Sequence, residues 1–523
     1  YRNHYGASHV RIADGTHRLG AFLREMGRND MALARFTEAT SMFDDLLGPG
    51  NVRSAVVVRE TAELLLKQGK PAEALDLALR SVHNLERTAA PDETRASLLV
   101  LAKVLQASGN TEAAILFAKR AVNRQQELRA ANRELPPELS AAFAERYRSL
   151  YLYLAELLID SGRMDEAQHV LDLIKSQEVM DFVRGGRPTL TSFDKRASLT
   201  STERAALGKL DDLLKQPIAT SKELEALLAK ARTKTLDDTE KARVAELKRA
   251  FADNYKAFQN DVKSLLAGLD RQSATVQGEV AALHLDMLGQ ARKKLKQFNG
   301  RAALLQIASL EDAVHIFVTT PNAQSHRSVK ISRTELARLA FDGWSLTANA
   351  SPEAGPVLAE LYDVLIRPVE GDLKASGADV IMLNLEGFLR YIPFAALKSG
   401  ERHLIEDYAL AIQTPAAETV YAEGERDRSR AVGFGVTDAH GEFSPLPAVA
   451  RELESLFDGT DASGVFAGSP LLNKDFDETR FASALEQTPL YVHIASHFKL
   501  EPGDESRSFL LLGNGGTLSL EAI

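Results

Sequence analysis

The sequence predicts a multidomain protein in which an all-α array of helix hairpins and a helical connector precede an α/β domain with a mostly parallel sheet. Three observations predict this fold class. A pattern of small residues, leucine and glycine recurs early in the chain, a stretch of helical composition follows, and short β-type runs alternate with helical segments from Arg301 onward. We expect the array at residues 1–184, the connector at 185–299 and the α/β domain at 300–523.

The composition is that of a globular chain and excludes several functions. Hydrophobic residues make up 45% of the 523 residues and charged residues 26%, and no run reaches the length of about 18 apolar residues that a membrane-spanning helix needs. The net charge of -9, without blocks of lysine and arginine, argues against a nucleic-acid surface. We therefore expect no direct nucleic-acid contact and no membrane span. We assign no cofactor and no metal, and the oligomeric state stays open.

The chain contains no cysteine. This excludes disulfides, thiolate metal sites and a cysteine nucleophile within the residues given, and it leaves the redox compartment undecided. The chain begins with Tyr1 and has no signal-peptide pattern, so we expect a cytoplasmic protein whose N-terminus is incomplete.

A pattern of one small residue, leucine, glycine and alanine occurs four times in the array. Each copy fits a helix hairpin, because the small residue and the alanine let helices approach, the leucine fills the seam and the glycine permits the turn. The four copies are Gly20, Leu23, Gly27, Ala32; Ala62, Leu65, Gly69, Ala74; Ala102, Leu105, Gly109, Ala114; and Ala155, Leu158, Gly162, Ala167.

This pattern resembles the tetratricopeptide repeat. The turn glycines are 42, 40 and 53 residues apart, which exceeds the usual repeat of about 34 residues. The resemblance implies a solenoid of stacked hairpins, and we expect its concave face, within residues 1–180, to bind a protein or peptide partner. A helical bundle with small residues placed by chance is the alternative.

The stretch between the array and the α/β domain is helical in composition. A turn-rich segment, residues 185–188, breaks the repeat pattern, and residues 221–230 and 240–266 are typical of long helices with charged outer faces. We interpret them as a solvated helical connector; a partner-binding coiled coil is the alternative.

From Arg301 the pattern changes to alternating strands and helices. Such alternation predicts an α/β domain, whose cleft lies beyond the carboxyl ends of its parallel strands. We expect a meander of strands at 303–307, 313–319 and 328–331, further strands at 380–383, 431–436 and 490–495, and helices at 357–366, 449–456 and 476–485.

The histidine at the end of the last expected strand is the candidate catalytic residue. The run YVHIASH, residues 491–497, is apolar and rich in β-branched and aromatic residues, which predicts a buried strand with His497 where the strand enters a loop. Imidazole is the side chain that ordinarily changes charge near neutral pH, so it suits a general base. On this run alone, a capping or core histidine is the alternative.

Four segments resemble the CHAT domain, a caspase-like peptidase module often found behind tetratricopeptide repeats. They are GFLRYIPFAAL (387–397), LPAVARE (446–452), HIASHF (493–498) and SFLLLGNGG (508–516). The resemblance covers residues 300–523 and implies a cysteine endopeptidase, regulated by the repeats, that cleaves a protein substrate. His497 matches the catalytic histidine, whereas His493 matches a position that we expect in the core of the sheet.

The cysteine that such an enzyme needs is absent from these residues. In caspases the nucleophile follows the histidine by about 50 residues, which places it beyond Ile523, and we expect residues 517–523 to begin the helix that leads to it. Phe498 stands where caspases have glycine, so the resemblance supplies no oxyanion-hole glycine there. The alternative function is a scaffold or pseudopeptidase that binds a protein partner through its repeats.

Other candidate features predict no chemistry. We interpret residues 433–435 and 513–516 as glycine-rich turns. Ser496 is poorly placed to share a proton with His497, because neighbours in a strand point to opposite faces. We expect Asp504 and Glu505 in an exposed loop.

Overall fold

The computed structural model describes residues 9–86, 88, 90–131, 137–182, 196–215, 218–231, 234–280, 295, 301–413, 430–457, 464–499 and 508–519. The chain forms two compact units, residues 1–174 with 190–289 and residues 175–189 with 290–523. The expected domain boundaries after residues 184 and 299, like the turn-rich segment 185–188, lie outside the described residues and stay predictions.

The described repeat region consists of helices that pair as four hairpins, which confirms the predicted helical array. The pairs are α1 (Val10–Glu25) with α2 (Asn29–Leu47), α3 (Val52–Lys67) with α4 (Pro71–Leu85), α5 (Pro91–Ala107) with α6 (Thr111–Ala131), and α7 (Pro137–Asp160) with α8 (Met164–Phe182). Pro71 and Pro91 start their helices, where the missing N–H of proline costs no hydrogen bond.

The repeat consensus encodes the turn of each hairpin. Every turn glycine has a positive φ, between 72° and 79°. The residue after it donates its N–H to the carbonyl of the repeat leucine at 2.8 to 2.9 Å: Arg28 to Leu23, Lys70 to Leu65, Asn110 to Leu105 and Arg163 to Leu158. This is the Schellman ending of a helix, which favours glycine because a side chain strains the left-handed conformation.

Further helices of the same unit include α9 (Ser201–Lys215), α10 (Ile218–Ala231) and α11 (Asp238–Arg271). The rings of Phe251, Tyr255 and Phe258 on α11 lie 6.1, 5.5 and 4.5 Å from that of His83, which is buried on α4. Lys248 and Lys263 of α11 form ion pairs with α2 and α4, at 3.0 Å from Asp45 and 2.6 Å from Asp76. The predicted helix therefore packs along the second helices of the first two hairpins.

A buried cluster of five charged side chains joins α6, α9 and the start of α8. Lys119 Nζ lies 2.5 Å from Glu166 Oε1 and 2.8 Å from Glu203 Oε2. The Arg163 guanidinium donates to Glu203 Oε1 at 2.8 Å and to Glu112 Oε2 at 3.0 Å, and it also pairs with Glu166. Burial alone would raise the pKa of Glu203, but Lys119, Arg163 and its hydrogen bonds together hold that pKa below its ordinary value.

The second unit contains a five-stranded sheet in the order β3-β2-β1-β4-β7. Its strands are β1 (Ala302–Ser309), β2 (Ala313–Thr319), β3 (Gln324–Lys330), β4 (Val380–Asn384) and β7 (Ala409–Ile412), while β5 (Lys398–Ser399) and β6 (Arg402–His403) form a separate pair. The β1-β2-β3 meander is antiparallel, as expected, whereas β4 is parallel to both β1 and β7. The sheet is therefore mixed, which corrects the expectation of a mostly parallel one.

Helices α12 (Arg333–Ala348), α13 (Ala354–Leu365) and α14 (Glu370–Ser376) pack on this sheet. The sequence indicated α13 but not α12. Gly343 lets α12 lie close to α13, since a Cβ there would lie 2.8 Å from a methyl group of Leu361. None of the helices in the described part of the chain is long and apolar enough to cross a membrane.

The remaining strands form two small sheets. The order β10-β8-β9 joins β8 (Ala431–Gly435), β9 (Leu471–Leu472) and β10 (Tyr491–Ala495), and the order β11-β12-β13 joins β11 (Phe498–Lys499), β12 (Phe509–Leu511) and β13 (Thr517–Ser519). Leu453 of α15 (Ala448–Leu456) packs with Ala495, while Phe481 of α16 (Glu478–Glu486) packs with Phe434. These elements carry the candidate site.

Candidate active site

Three parallel strands bring their carboxyl ends to one edge of the second sheet. β8 pairs with β10 from Ala431 opposite Tyr491 to Gly435 opposite Ala495, and its last residue also lies opposite Leu472 of β9. Because all three strands run in the same direction, the residues that follow them lie at the same edge. This is the edge at which the sequence placed His497.

His497 lies two residues after β10, and a backbone carbonyl fixes its ring. Its Nε2 is 2.6 Å from the carbonyl oxygen of Ser444. A carbonyl only accepts hydrogen bonds, so Nε2 carries a proton, and in the neutral imidazole Nδ1 is then the nitrogen that accepts one. The Phe443 ring, 5.2 Å away, packs against the half-buried imidazole.

The backbone around His497 is tied to β12. The Leu511 N–H donates to the His497 carbonyl at 2.9 Å, and the Ser496 hydroxyl donates to the Leu511 carbonyl at 2.6 Å. The serine is therefore engaged with the neighbouring strand, in agreement with the expectation that it is not a nucleophile paired with His497.

Asn473 holds the loop that presents the Ser444 carbonyl. The Thr437 N–H donates to Asn473 Oδ1 at 2.7 Å, and Asn473 Nδ2 donates to the Thr437 hydroxyl at 2.6 Å. Asn473 follows β9 with a φ of 49°, a conformation that asparagine adopts more readily than most residues. Sequence reasoning missed both Ser444 and Asn473. A backbone carbonyl has no sequence signal, and an asparagine after a short strand is typical of any turn.

The turn at residues 513–516 packs against the same loop framework. A Cβ on Gly513 would lie 2.0 Å from the carbonyl oxygen of Asn473, and one on Gly515, whose φ is 83°, would lie 3.0 Å from His440 Nδ1. Glycine is therefore required at both positions, and the interpretation of this segment as a hairpin turn is confirmed. Residues 517–519 form β13, so the helix expected to begin there is wrong for those residues.

Residues 433–435 are part of a strand, so their interpretation as a turn is wrong. Gly433 and Gly435 lie in β8. A Cβ on Gly433 would lie 2.5 Å from the Phe457 ring, and one on Gly435 would lie 2.5 Å from a methyl group of Leu453. These glycines therefore let α15 and the chain after it approach the strand closely.

The burial of β10 also differs from the prediction. Tyr491, Val492 and Ile494 are exposed, and only Ala495 is buried, because β10 is an outer strand of its sheet. His493 has a half-exposed side chain whose Nε2 lies 2.7 Å from Glu452 Oε1. The strand itself is confirmed, but the interpretation of His493 as a core residue is wrong.

Asp504 and Glu505 lie outside the described residues. In the ranges that are described, no group of three or more histidine, aspartate or glutamate side chains is arranged to hold a metal ion.

The described residues thus form helix hairpins and an α/β domain in which a histidine follows a parallel strand. This combination is that of a repeat protein with a separate α/β domain. A CHAT domain model matches residues 355–523, and a tetratricopeptide repeat model matches residues 11–87. The chain thus carries a CHAT domain, which is related to caspase-like peptidases, behind tetratricopeptide repeats, which mediate protein interaction. The resemblance seen in the sequence is confirmed. No curated protein matches the chain.

Proposed function

We propose that the protein is a caspase-like cysteine endopeptidase in which His497 is the general base and the nucleophile is a cysteine beyond Ile523. The repeats bind a protein partner that regulates cleavage of a protein substrate. The observation that carries the proposal is the His497 imidazole at the carboxyl end of β10, with Nε2 on the Ser444 carbonyl. The CHAT match over the same residues supports it.

In this mechanism Nδ1 of His497 takes the proton of the cysteine thiol, and the thiolate attacks the peptide carbonyl carbon. The imidazolium keeps its Nε2–H on the Ser444 carbonyl. Nδ1 then returns the proton to the leaving amine. The resulting acyl-enzyme is hydrolysed by water, with Nδ1 again acting as the base.

The outer edge of β10 supports a position for the nucleophile. In the described residues β10 is the end strand of its sheet, and Tyr491, Val492 and Ile494 are 44%, 41% and 36% exposed. A further parallel strand beside β10 would end at the same edge as His497. A cysteine at its carboxyl end would then lie next to the imidazole.

The packing of α11 supports a position for the regulatory partner. Its aromatic residues and lysines contact α2 and α4, the second helices of the first two hairpins, and so cover part of their surface. The first helices of the hairpins carry the ion pairs Arg53 with Asp14 and Arg59 with Glu93 instead. We therefore propose that the partner binds through a polar peptide or protein surface to the side of the array formed by α1, α3 and α5.

The test uses an extended chain that continues past Ile523 through the following strand. Residues 1–523 contain no cysteine, so a thiol reagent reports only on the extension. We expect iodoacetamide at pH 7 to alkylate the thiol at least about tenfold faster in the wild type than in His497→Ala, because a paired imidazole raises the thiolate fraction. Cleavage of a peptide library by the extended chain with its partner should be lost in the same variant.

The matched control is His493→Ala, which removes an imidazole four residues away and should leave the alkylation rate unchanged. Equal rates in the wild type and His497→Ala would contradict the base assignment. A residue other than cysteine at the end of the following strand would instead support the alternative function, a scaffold or pseudopeptidase that binds a protein partner.

A further inference from the structure

Helix α1 presents an apolar stripe to solvent. Gly15, Leu19 and Phe22 are spaced four and three residues apart and therefore share one face of the helix. Phe22 is 61% exposed and Leu19 47%. Single exposed apolar residues are ordinary on protein surfaces, but a continuous stripe of them on one helix marks an interaction surface.

Alignment of the four hairpins on their turn glycines shows how exposed the equivalent positions are in the later hairpins. The positions equivalent to Phe22 in the later hairpins are Leu64, Val104 and Leu157, which are 1%, 0% and 2% exposed. The positions equivalent to Leu19 are Thr61, which is half-buried, and Leu101 and Leu154, which are fully buried. Those equivalent to Gly15 are Val57, Ser97 and Leu150, all buried.

The hairpin that comes before covers this face. Val57 and Leu64 of α3 belong to the same core as Ala32, Phe36 and Phe43 of α2. The second helix of the first hairpin thus packs on the stripe of the second hairpin. In the first hairpin the same stripe is apolar and open.

Towards the other end of the array, helix α9 packs against α6 and the residue that precedes α8. Glu203 of α9 is bound by Lys119 and Arg163, and Ala206 and Leu210 of the same helix are buried. A terminal unit of a solenoid needs a polar outer face to remain soluble. The first hairpin has the apolar face of an internal unit instead.

We propose that the stripe of Gly15, Leu19 and Phe22 is a stacking surface for one more helix hairpin of the same repeat type, supplied by the same polypeptide ahead of α1. The occupant follows from continuity with the interfaces inside the array, where each covered stripe meets the preceding hairpin of its own chain. Short connections, residues 48–51 between α2 and α3, hold such neighbours together, which gives a linked hairpin a high effective concentration.

The experiment adds a second copy of residues 10–51 ahead of Val10, so that the added copy of α2 faces the stripe. The melting temperature is followed by circular dichroism. We expect the extended chain to melt at least about 3 °C higher than the chain as it stands. Phe22→Glu in the original hairpin should abolish this increase, because it places a charge in the new interface.

Two controls accompany this variant. Phe22→Glu in the chain without the extension should hardly change the melting temperature, since Phe22 is exposed there. Phe22→Glu in the added copy, whose own stripe stays open, should leave the increase intact. An extension without effect, or an increase that survives the charge in the original hairpin, would overturn the proposal. Sedimentation velocity could also show that the unextended chain dimerises and that Phe22→Glu abolishes the dimer. This result would assign the stripe to a second copy of the chain and would also overturn the proposal.

Discussion

The buried charge cluster of the repeats and the edge of the sheet at His497 use ionisable side chains in opposite ways. Glu112, Lys119, Arg163, Glu166 and Glu203 are at most 6% exposed, and each is bonded to an oppositely charged partner within the cluster. His497 is half-buried, and its ring is held through Nε2.

Under the proposed function, this is a difference between a structural and a chemical use of ionisable side chains. A buried ion that lacks a partner costs several kcal/mol, so the cluster is stable only while every member is bonded. In the proposed function His497 must keep one nitrogen ready to take a proton; the Ser444 carbonyl holds its ring through Nε2, and Nδ1 is the nitrogen to which we assign that role. The following predictions test this contrast.

The largest stability effect is expected at Arg163. Arg163→Met leaves Glu112, Glu166 and Glu203 buried with one cation fewer, so the first unit should lose about 3–5 kcal/mol of stability. The exposed pair of Arg53 with Asp14 supplies the control, and Arg53→Met should cost less than about 1 kcal/mol. Urea denaturation followed by circular dichroism measures both stability losses. Similar losses in the two variants would contradict the view that the buried cluster contributes more to stability than the exposed ion pair.

A smaller loss is expected where the repeat consensus demands a small residue. Ala114 on α6 is fully buried, and Ala114→Leu should overpack the hairpin by about 1–3 kcal/mol. Ala107, exposed at the end of α5, provides a control at which leucine should be tolerated. A melting temperature unaffected by leucine at residue 114 would argue against close stacking of the helices.

The smallest effect is expected at His493. Its side chain and that of Glu452 are 36% and 49% exposed, so His493→Ala should cost less than about 1 kcal/mol. A double-mutant cycle with Glu452→Gln measures the coupling of the pair. A loss as large as that of Ala114→Leu would restore the core role that the sequence suggested for this histidine.

The features that the sequence predicted correctly are those that depend on residues close together in the chain. The leucine, glycine and alanine of each repeat lie within one hairpin, and the Schellman turn that links Arg28 to Leu23 is complete within six residues. The same holds for β10, whose composition indicates a strand. Burial of that strand depends on which strands lie beside it, and those come from distant parts of the chain, so the exposure of Val492 was not predictable.

Long-range partners account for the other omissions. Ser444, whose carbonyl orients His497, lies 53 residues away in the chain and acts through its backbone. Asp270 at the end of α11 accepts a hydrogen bond from the N–H of Glu112, 158 residues earlier. Such contacts have no periodicity or motif, and only the folded chain brings them together.

The most direct test of the account asks whether Nδ1 of His497 is the base. Incorporation of Nδ1-methylhistidine at position 497 of the extended chain puts a methyl group on that nitrogen, so Nδ1 can no longer take a proton, and it moves the lone pair of the neutral ring to Nε2, which faces the Ser444 carbonyl. The account predicts that iodoacetamide alkylation at pH 7 slows by at least about tenfold, as in His497→Ala. An alkylation rate equal to that of the wild type would contradict it.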